Sequence, residues 1–580
     1  MSMTEPPRVQ GLYSLLTCLV VLICAVEAHA VAIHASSDPV KNEPPITAKD
    51  REHWAFQPLA KADVETGLEE LLPPESAPAD AATLIRRVTF DLTGLPPDPN
   101  TLTELTETSY AALVDRLLSS PRYGEHWAQW WLDLARFAET DGYEYDTERS
   151  RAWQYRDWVI QALNDDMPFD QFVQFQIAGD QLSKAHETAT GFLFAVPDMP
   201  DLNNQSERRH VLLNDITTTV GSVGLGLTIG CAQCHDHPYD PISQADFYRL
   251  RAFFDNTVMP KERKPLGPSV RVFTEGVPAS TVFIRGDFKR PGPEIQAAVP
   301  RLLGSTAQPN RAAFARWLAN EDNALFLRAM VNRIWQQHLG KPLSAVPGDL
   351  GHQGEAPTNP ALLDWLATQL PKTGWSLKKL HQLIVLSPTY RQAKLPQRRL
   401  TGEMLRDAML AVSGQLNLKT GGPSVRLPMP KEIRDTLLKD QYKVTPDISE
   451  HTRRSIYIFA RRNVRHPLFD LFDRPDAQIS CARRNESTTA PQALALLNSE
   501  FAHDTAAKLA KSLTQTHGSD IPALMTAATR LCLSRIPTEI EITTGSTFME
   551  QQTKLTGSLN AALADYCLAL LNSNEFLFVD

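Results

Sequence analysis

Along most of the chain apolar residues return every three or four positions, the spacing that gives a helix one buried stripe. Trp127, Trp130, Trp131, Leu134 and Phe137 form such a stripe, Phe247, Leu250, Phe253 and Phe254 form another, and Trp153, Val159 and Leu163 follow the period more loosely. Later helices carry clear start signals. Asn359 and Pro360 precede Leu362, Leu363, Trp365 and Leu366, and Ser376 precedes Leu377, Leu380, Leu383 and Ile384. An oxygen-bearing side chain ahead of the first turn accepts its unpaired N–H groups, and proline fits the first helical position. The aromatic stripe at 127–137 has a second reading as a wall against a flat cofactor, but a stripe of this kind is ordinarily core.

Between residues 256 and 310 the period breaks. Prolines at 260, 265, 268, 278, 291, 293 and 300 interrupt helix, while Val270 to Phe273 and Thr281 to Arg285 alternate as strands do. The pattern predicts a mainly α fold of two helical domains with a small β-containing element between them. The expected boundaries are 31–255 for the first domain, 256–308 for the Pro-rich element and 309–580 for the second.

The first thirty residues stand apart. Arg8 gives a weakly basic start, Gly11 to Val26 is almost unbroken apolar sequence, and Ala28-His29-Ala30 has the small-x-small form of a cleavage site. Residues 1–30 read as a secretory signal, the apolar run being shorter than the ~20 residues of a spanning helix. The expected location is therefore periplasmic or cell-surface, with no membrane span after cleavage. At 580 residues the chain is too long for one hydrophobic core, and its net charge of −9 includes no basic block. Nucleic acid is not an expected partner.

Cleavage removes Cys18 and Cys24 and leaves Cys231, Cys234, Cys481, Cys532 and Cys567. Five thiols in a chain of this length do not make a disulfide scaffold. Cys532 and Cys567 sit in apolar helical surroundings, where buried free thiols are at home. The pair at 231 and 234 differs, because it opens the run Cys231-Ala232-Gln233-Cys234-His235. Two thiols three apart followed by imidazole suit covalent haem c, each sulfur taking one vinyl carbon and His235 the iron. The apolar, glycine-punctuated run from Thr217 to Gly230 reads either as a porphyrin-facing wall or as tight helix packing. Ser243 and Asp246 resemble a capping box opening the next helix. Met199, Met259, His210 and His126 are sixth-ligand candidates by residue type alone. A rival reading gives Cys231, Cys234, His235 and His237 to zinc or copper as a structural metal.

Several longer segments carry a family resemblance. His53-Trp54-Ala55-Phe56-Gln57-Pro58, the run from Leu84 to Pro97, and Gly230 to His237 resemble the planctomycete-type cytochrome-c-like domain. Val331-Asn332-Arg333-Ile334-Trp335, Gly374-Trp375-Ser376-Leu377, Arg406-Asp407-Ala408-Met409 and Arg483-Arg484-Asn485 are similar to the C-terminal domain of unknown function that commonly follows it. The resemblance implies an exported protein of two coupled domains with one haem c site, and no particular reaction.

In the second domain, Arg461-Arg462-Asn463 and Arg483 to Thr489 flank Asp470, Asp473 and Asp476. Forked donors beside carboxylates suit a polysaccharide or another anionic substrate, or else form a structural Arg–Asp network with a helix cap before Pro491. No nucleophile motif is present. The expected function is electron transfer with a redox partner protein. The alternatives are a haem- or metal-dependent enzyme, peroxidase-like or polysaccharide-active, and a non-catalytic binding protein holding a structural metal.

Overall fold

The computed structural model describes residues 38–60, 67–99, 107–258, 269–272, 279–304, 310–437 and 441–579. The secretory signal and the expected boundary at 308 lie outside them. Among the described residues, helices carry the fold and strands occur only as short antiparallel pairs. No described helix is long and apolar enough to cross a membrane.

The start signals act as the sequence predicts. Asn359 and Ser376 accept from Leu362 N and Lys379 N, and Ser120, which the sequence reading did not single out, caps Pro121–Leu134 by accepting from Arg122 N, with Pro121 in the first turn. The stripe on Pro121–Leu134 is core: Trp127 and Trp131 are all but fully buried. Trp131 keeps its polar atom satisfied, Nε1 donating to Tyr155 Oη at 3.2 Å, and that hydroxyl donating to Gln176 at 2.7 Å.

Among the described residues two large hydrophobic cores result, with a small third at Val425, Leu427, Ile458 and Phe469, and the division of the large two does not follow the sequence boundary. The larger contains Val88, Trp131, Leu213 and Phe247 together with Phe314, Met330, Leu366 and Tyr390, so helices from both sides of residue 308 share it. The smaller is built from Leu405, Leu509, Leu524, Leu563 and other C-terminal residues, and Phe90 enters it from far upstream. Helix Ala81–Thr93 therefore ties both cores. Its Arg86 donates to the carbonyls of Cys532 and Phe576, and its Arg87 donates to those of Tyr390 and Gln392.

The Pro-rich element forms two separate ribbons. Thr257–Val258 pairs with Arg271–Val272, and Thr281–Phe283 pairs with Pro291–Glu294 across a register irregularity. The second ribbon turns through Arg285 and Gly286, both with positive φ. It lies against the Cys-x-x-Cys-His segment.

Candidate functional site

Helix Gln205–Val220 runs into a turn at Gly221–Leu225, reverses at Gly226 (φ 61°), and delivers the single 3-10 turn Ile229–Gln233. The glycines of this run are packed by protein. A Cβ on Gly221 would strike Ile229, one on Gly224 would strike Leu318, and one on Gly226 would crowd Ala329 and Leu350. Tight packing, and not a porphyrin-facing wall, accounts for them.

Arg333 clamps this turn from across the shared core. Its Nη1 donates to Val223 O at 2.6 Å, its Nη2 to Ser222 O at 2.7 Å and its Nε to Pro347 O at 2.9 Å. Burial pulls the guanidinium down to about 9. Thr228 Oγ1 donates to Asp349 at 2.6 Å, and Leu350 N to Gly226 O at 2.6 Å. On the other side, Gln244 Nε2 and Tyr248 Oη both donate to Gln233 O. The helix carrying them, Gln244–Arg251, opens on the Ser243/Asp246 capping box.

Cys231 is exposed, Cys234 is half-buried, and both are free thiols, as are Cys481, Cys532 and Cys567. Burial, and then the neighbouring Cys231, push the Cys234 thiol up. Gly286 lies directly over Cys234: a Cβ there would come within 2.6 Å of its Sγ. His235 Nδ1 donates to Asp236 O at 2.6 Å, which leaves Nε2 as the lone-pair nitrogen of the neutral ring. Asp236 is fixed in turn by accepting from Gln244 N at 2.8 Å.

His237 is not brought to this group. Its Nδ1 accepts from Asp240 N at 2.9 Å, and Asp240 Oδ1 accepts from His352 Nδ1 at 2.9 Å. His352 stacks on His53 with ring centroids 4.3 Å apart. Among the described residues no group of three or more His, Cys, Asp or Glu side chains converges as a metal-binding set, and His237 is engaged by Asp240. Of the sixth-ligand candidates, Met259 lies outside the described residues and Met199 is exposed. His210 is engaged at both ring nitrogens, by Asn214 and Arg251, and burial followed by Arg251 pushes it down to about 4. His126 lines a different cavity.

That cavity, of about 160 Å³, is lined by Trp127, Trp130, Asp133, Gln336, Arg398, Arg454, Arg484 and their neighbours. Its charges are cross-paired. Arg484 Nε donates to Asp133 at 2.6 Å and its Nη1 to Glu403 at 2.8 Å; Arg454 bridges Glu125 and Asp407, both at 3.0 Å; Arg398 meets Asp91 at 2.7 Å. Burial opposes ionisation of Glu403, but Arg484 and Arg474 outweigh it and hold the carboxyl at about 2.

Two comparisons with known families now bear on this arrangement. Residues 62–259 match PSCyt2, a protein of unknown function (DUF1549), and residues 310–549 match PSD1, a protein of unknown function (DUF1553). The chain pairs a PSCyt2 domain with a PSD1 domain. No curated protein and no solved structure matches it. The Cys-x-x-Cys-His turn belongs to PSCyt2, yet the Arg333 clamp comes from PSD1. The charged cavity takes Asp91, Glu125 and Trp127 from PSCyt2, and Arg398, Arg454 and Arg484 from PSD1.

The PSD1 clusters singled out in the sequence find partners other than their flanking aspartates. Arg461 pairs with Asp146 at 2.8 Å, and Arg462 donates to the carbonyls of Arg136 and Ala195, all within PSCyt2. Asp473 pairs with Arg399, and the exposed Asp470 with Arg465. Thr489 caps the next helix with Gln492. The structural network is the observed one. Sequence reading missed Arg333, His53, His352, Trp130 and Gln336 as site-forming residues. Asn332-Arg333 within a family motif was the available signal for the first.

Proposed function

We propose that this PSCyt2–PSD1 protein is an exported redox protein carrying one haem c, with Cys231 and Cys234 as covalent anchors and His235 as proximal ligand. The observation that carries the reading is the orientation of His235, whose Nδ1 is tied to Asp236 O so that Nε2 is left to ligate beside two free thiols. When bound, haem c supplies a one-electron iron couple, whose potential follows the axial ligands and the surrounding hydrogen bonds.

The chain's own residues then have definable tasks. Asp236 O fixes the His235 tautomer, and Gln244 N fixes Asp236. Gln244 and Tyr248 hold the Gln233 carbonyl between the two cysteines. Gly286 covers Cys234 on one side while Cys231 stays exposed, which leaves an anchored group reachable from solvent and by a redox partner protein. The secretory start and the absence of a second Cys-x-x-Cys-His in the sequence agree with a single haem attached after export.

The test is expression with an export signal in a host that attaches haem c, followed by a pyridine haemochrome spectrum and intact mass. Covalent haem in the full chain and its loss in Cys231→Ser/Cys234→Ser support the reading. Unmodified thiols and no visible chromophore in protein from the native host overturn it. In loaded protein, His235→Ala is expected to keep the covalent group and to change the iron's spectrum.

A further inference from the structure

The second ribbon of the Pro-rich element is fixed to the Cys-x-x-Cys-His turn and carries charges that the fold does not use. Gln244 Nε2 donates both to Gln233 O at 3.1 Å and to Phe283 O at 3.0 Å, so one amide holds the turn and the strand Thr281–Phe283 together. The Phe283 ring stands edge-on to His210 with centroids 4.9 Å apart, and the Arg251 guanidinium lies 5.0 Å from its centre. Beyond Phe283 the chain reverses tightly, Ile284 N donating to Arg290 O at 3.0 Å and Arg290 N to Asp287 O at 2.8 Å. Gly286 is thereby seated against the Cys234 sulfur, where a Cβ would come within 2.6 Å of it. The tip has a set position beside the anchoring thiol.

Three of the six residues from Arg285 to Arg290 are cations, and Arg285, Lys289 and Arg290 are all exposed. Among the described residues none of the three is paired with a carboxylate. Asp287, the one acid of the tip, has its Oδ1 taken by Lys289 N at 2.9 Å. Arg285 sits at φ 55°, a conformation that glycine or asparagine adopts with less strain. Nearby arginines with a structural task look different: Arg249 and Arg301 are both paired with Glu43 and Asp246. Packing accounts for Gly286 and leaves the three cations unexplained.

We propose that this tip is the docking surface for the acidic face of a redox partner protein, with electrons passing at the group anchored on Cys231 and Cys234. The inference rests on the haem reading for what passes there, and on the tip alone for what binds there. The chain as a whole carries −9 and so repels an acidic protein at a distance. Exposed charges more than about 8 Å apart are largely screened at physiological ionic strength, so what the partner meets at contact is the tip. A nucleic acid or a sulfated polysaccharide fits worse, because a long polyanion needs cations along an extended track and here all three lie in one turn. Charge complementarity of this kind acts chiefly on encounter rate and orientation. The test is therefore kinetic.

The experiment is stopped-flow oxidation of the reduced, haem-loaded full chain by ferricyanide, an anion, and by tris(phenanthroline)cobalt(III), a cation, across ionic strength. The expected result is a ferricyanide rate constant that falls as salt rises and a cobalt rate constant that climbs, the reverse of what a net charge of −9 dictates. Lys289→Glu/Arg290→Glu, which leaves the positive-φ residue in place, is expected to slow ferricyanide roughly tenfold at low salt and to abolish its salt dependence. Lys394→Glu/Lys511→Glu makes the same change in total charge on PSD1 and is expected to leave both rates as they are. A ferricyanide rate that rises with salt in the unsubstituted chain, or equal effects of the two variants, overturns the proposal. A second measurement needs no haem. Binding of poly-L-glutamate to the unloaded full chain, followed by titration calorimetry at low salt, is expected to be saturable, lost in the tip variant and kept in the PSD1 variant. No binding, or equal loss in both variants, overturns the docking surface, whereas unmodified thiols in protein from the native host overturn only the haem reading.

Discussion

Arg484 shows how single residues hold this molecule together. It is nearly buried and donates to Asp133 on the PSCyt2 side and to Glu403 on the PSD1 side, so truncating it leaves Asp133 only Gln129 and Glu403 only Arg474 in place of a bidentate partner. Arg484→Ala is expected to destabilise the chain by about 3–5 kcal/mol, read as a fall in melting temperature or denaturant midpoint. Glu403 sets the accompanying pH dependence. Its carboxyl is held at about 2 in the folded chain against an ordinary 4.5, so the stability it contributes is complete above about pH 4.5 and is lost as pH falls toward 2. The linked free energy is on the order of 3 kcal/mol. Glu403→Gln is therefore expected to flatten the acid limb of a melting-temperature profile, and an unchanged limb would remove Glu403 from the account. Arg333 acts in a different way. It meets carbonyls in place of a carboxylate, and Arg333→Leu takes this donor from Val223 O and Pro347 O, while Ser222 O keeps Gly226 N. The expected outcome is faster hydrogen exchange in the turn leading to Cys231, beyond a general loss of stability.

At the scale of elements, the segment around the two thiols is placed by its neighbours. The capping box at Ser243 starts helix Gln244–Arg251, which supplies Gln244 and Tyr248 to the Gln233 carbonyl. Ser243→Ala removes the cap and the hydroxyl's bond to Glu43 at 2.9 Å, with an expected cost of about 1 kcal/mol. Its specific sign is faster alkylation of Cys234 as the adjoining turn loosens, while Cys567 in the far core stays unreactive. Caps of this kind were legible in the sequence because they act over three residues. Ser243/Asp246, Asn359/Pro360 and Ser376 all sit where their spacing placed them. The strands Arg271–Val272 and Thr281–Phe283 were legible as strands but not as partners, and the expected run to Arg285 stops at Phe283 where Ile284–Gly286 turns; alternation marks an extended segment and says nothing about what lies beside it. The glycines before Cys231 were ambiguous for the same reason, since only the fold shows Leu318, Ala329 and Leu350 filling the space beside them.

At the scale of the whole molecule, the PSCyt2 and PSD1 regions are distinct in sequence but share one core, with Phe314 and Met330 in the same apolar cluster as Val88 and Leu213. Cleavage near residue 308 is expected to yield two pieces that stay together on gel filtration under native conditions and separate only on unfolding. Either half expressed alone is expected to aggregate, because it exposes the apolar surface that its partner covers. A soluble, cooperatively melting PSCyt2 half would contradict this. By itself the sequence determined the helical periods, their caps, the extended segments of the Pro-rich element and the chemical character of Cys231, Cys234 and His235. All of these depend on residues within about one turn of each other. Tertiary structure alone decided that Arg484 meets Asp133, 351 positions away, that Arg333 holds the turn before Cys231, and that Trp130 and Gln336 share a cavity. A charge or a buried amide carries no local mark of its distant partner, and burial, which makes such pairings strong, exists only once the chain has folded.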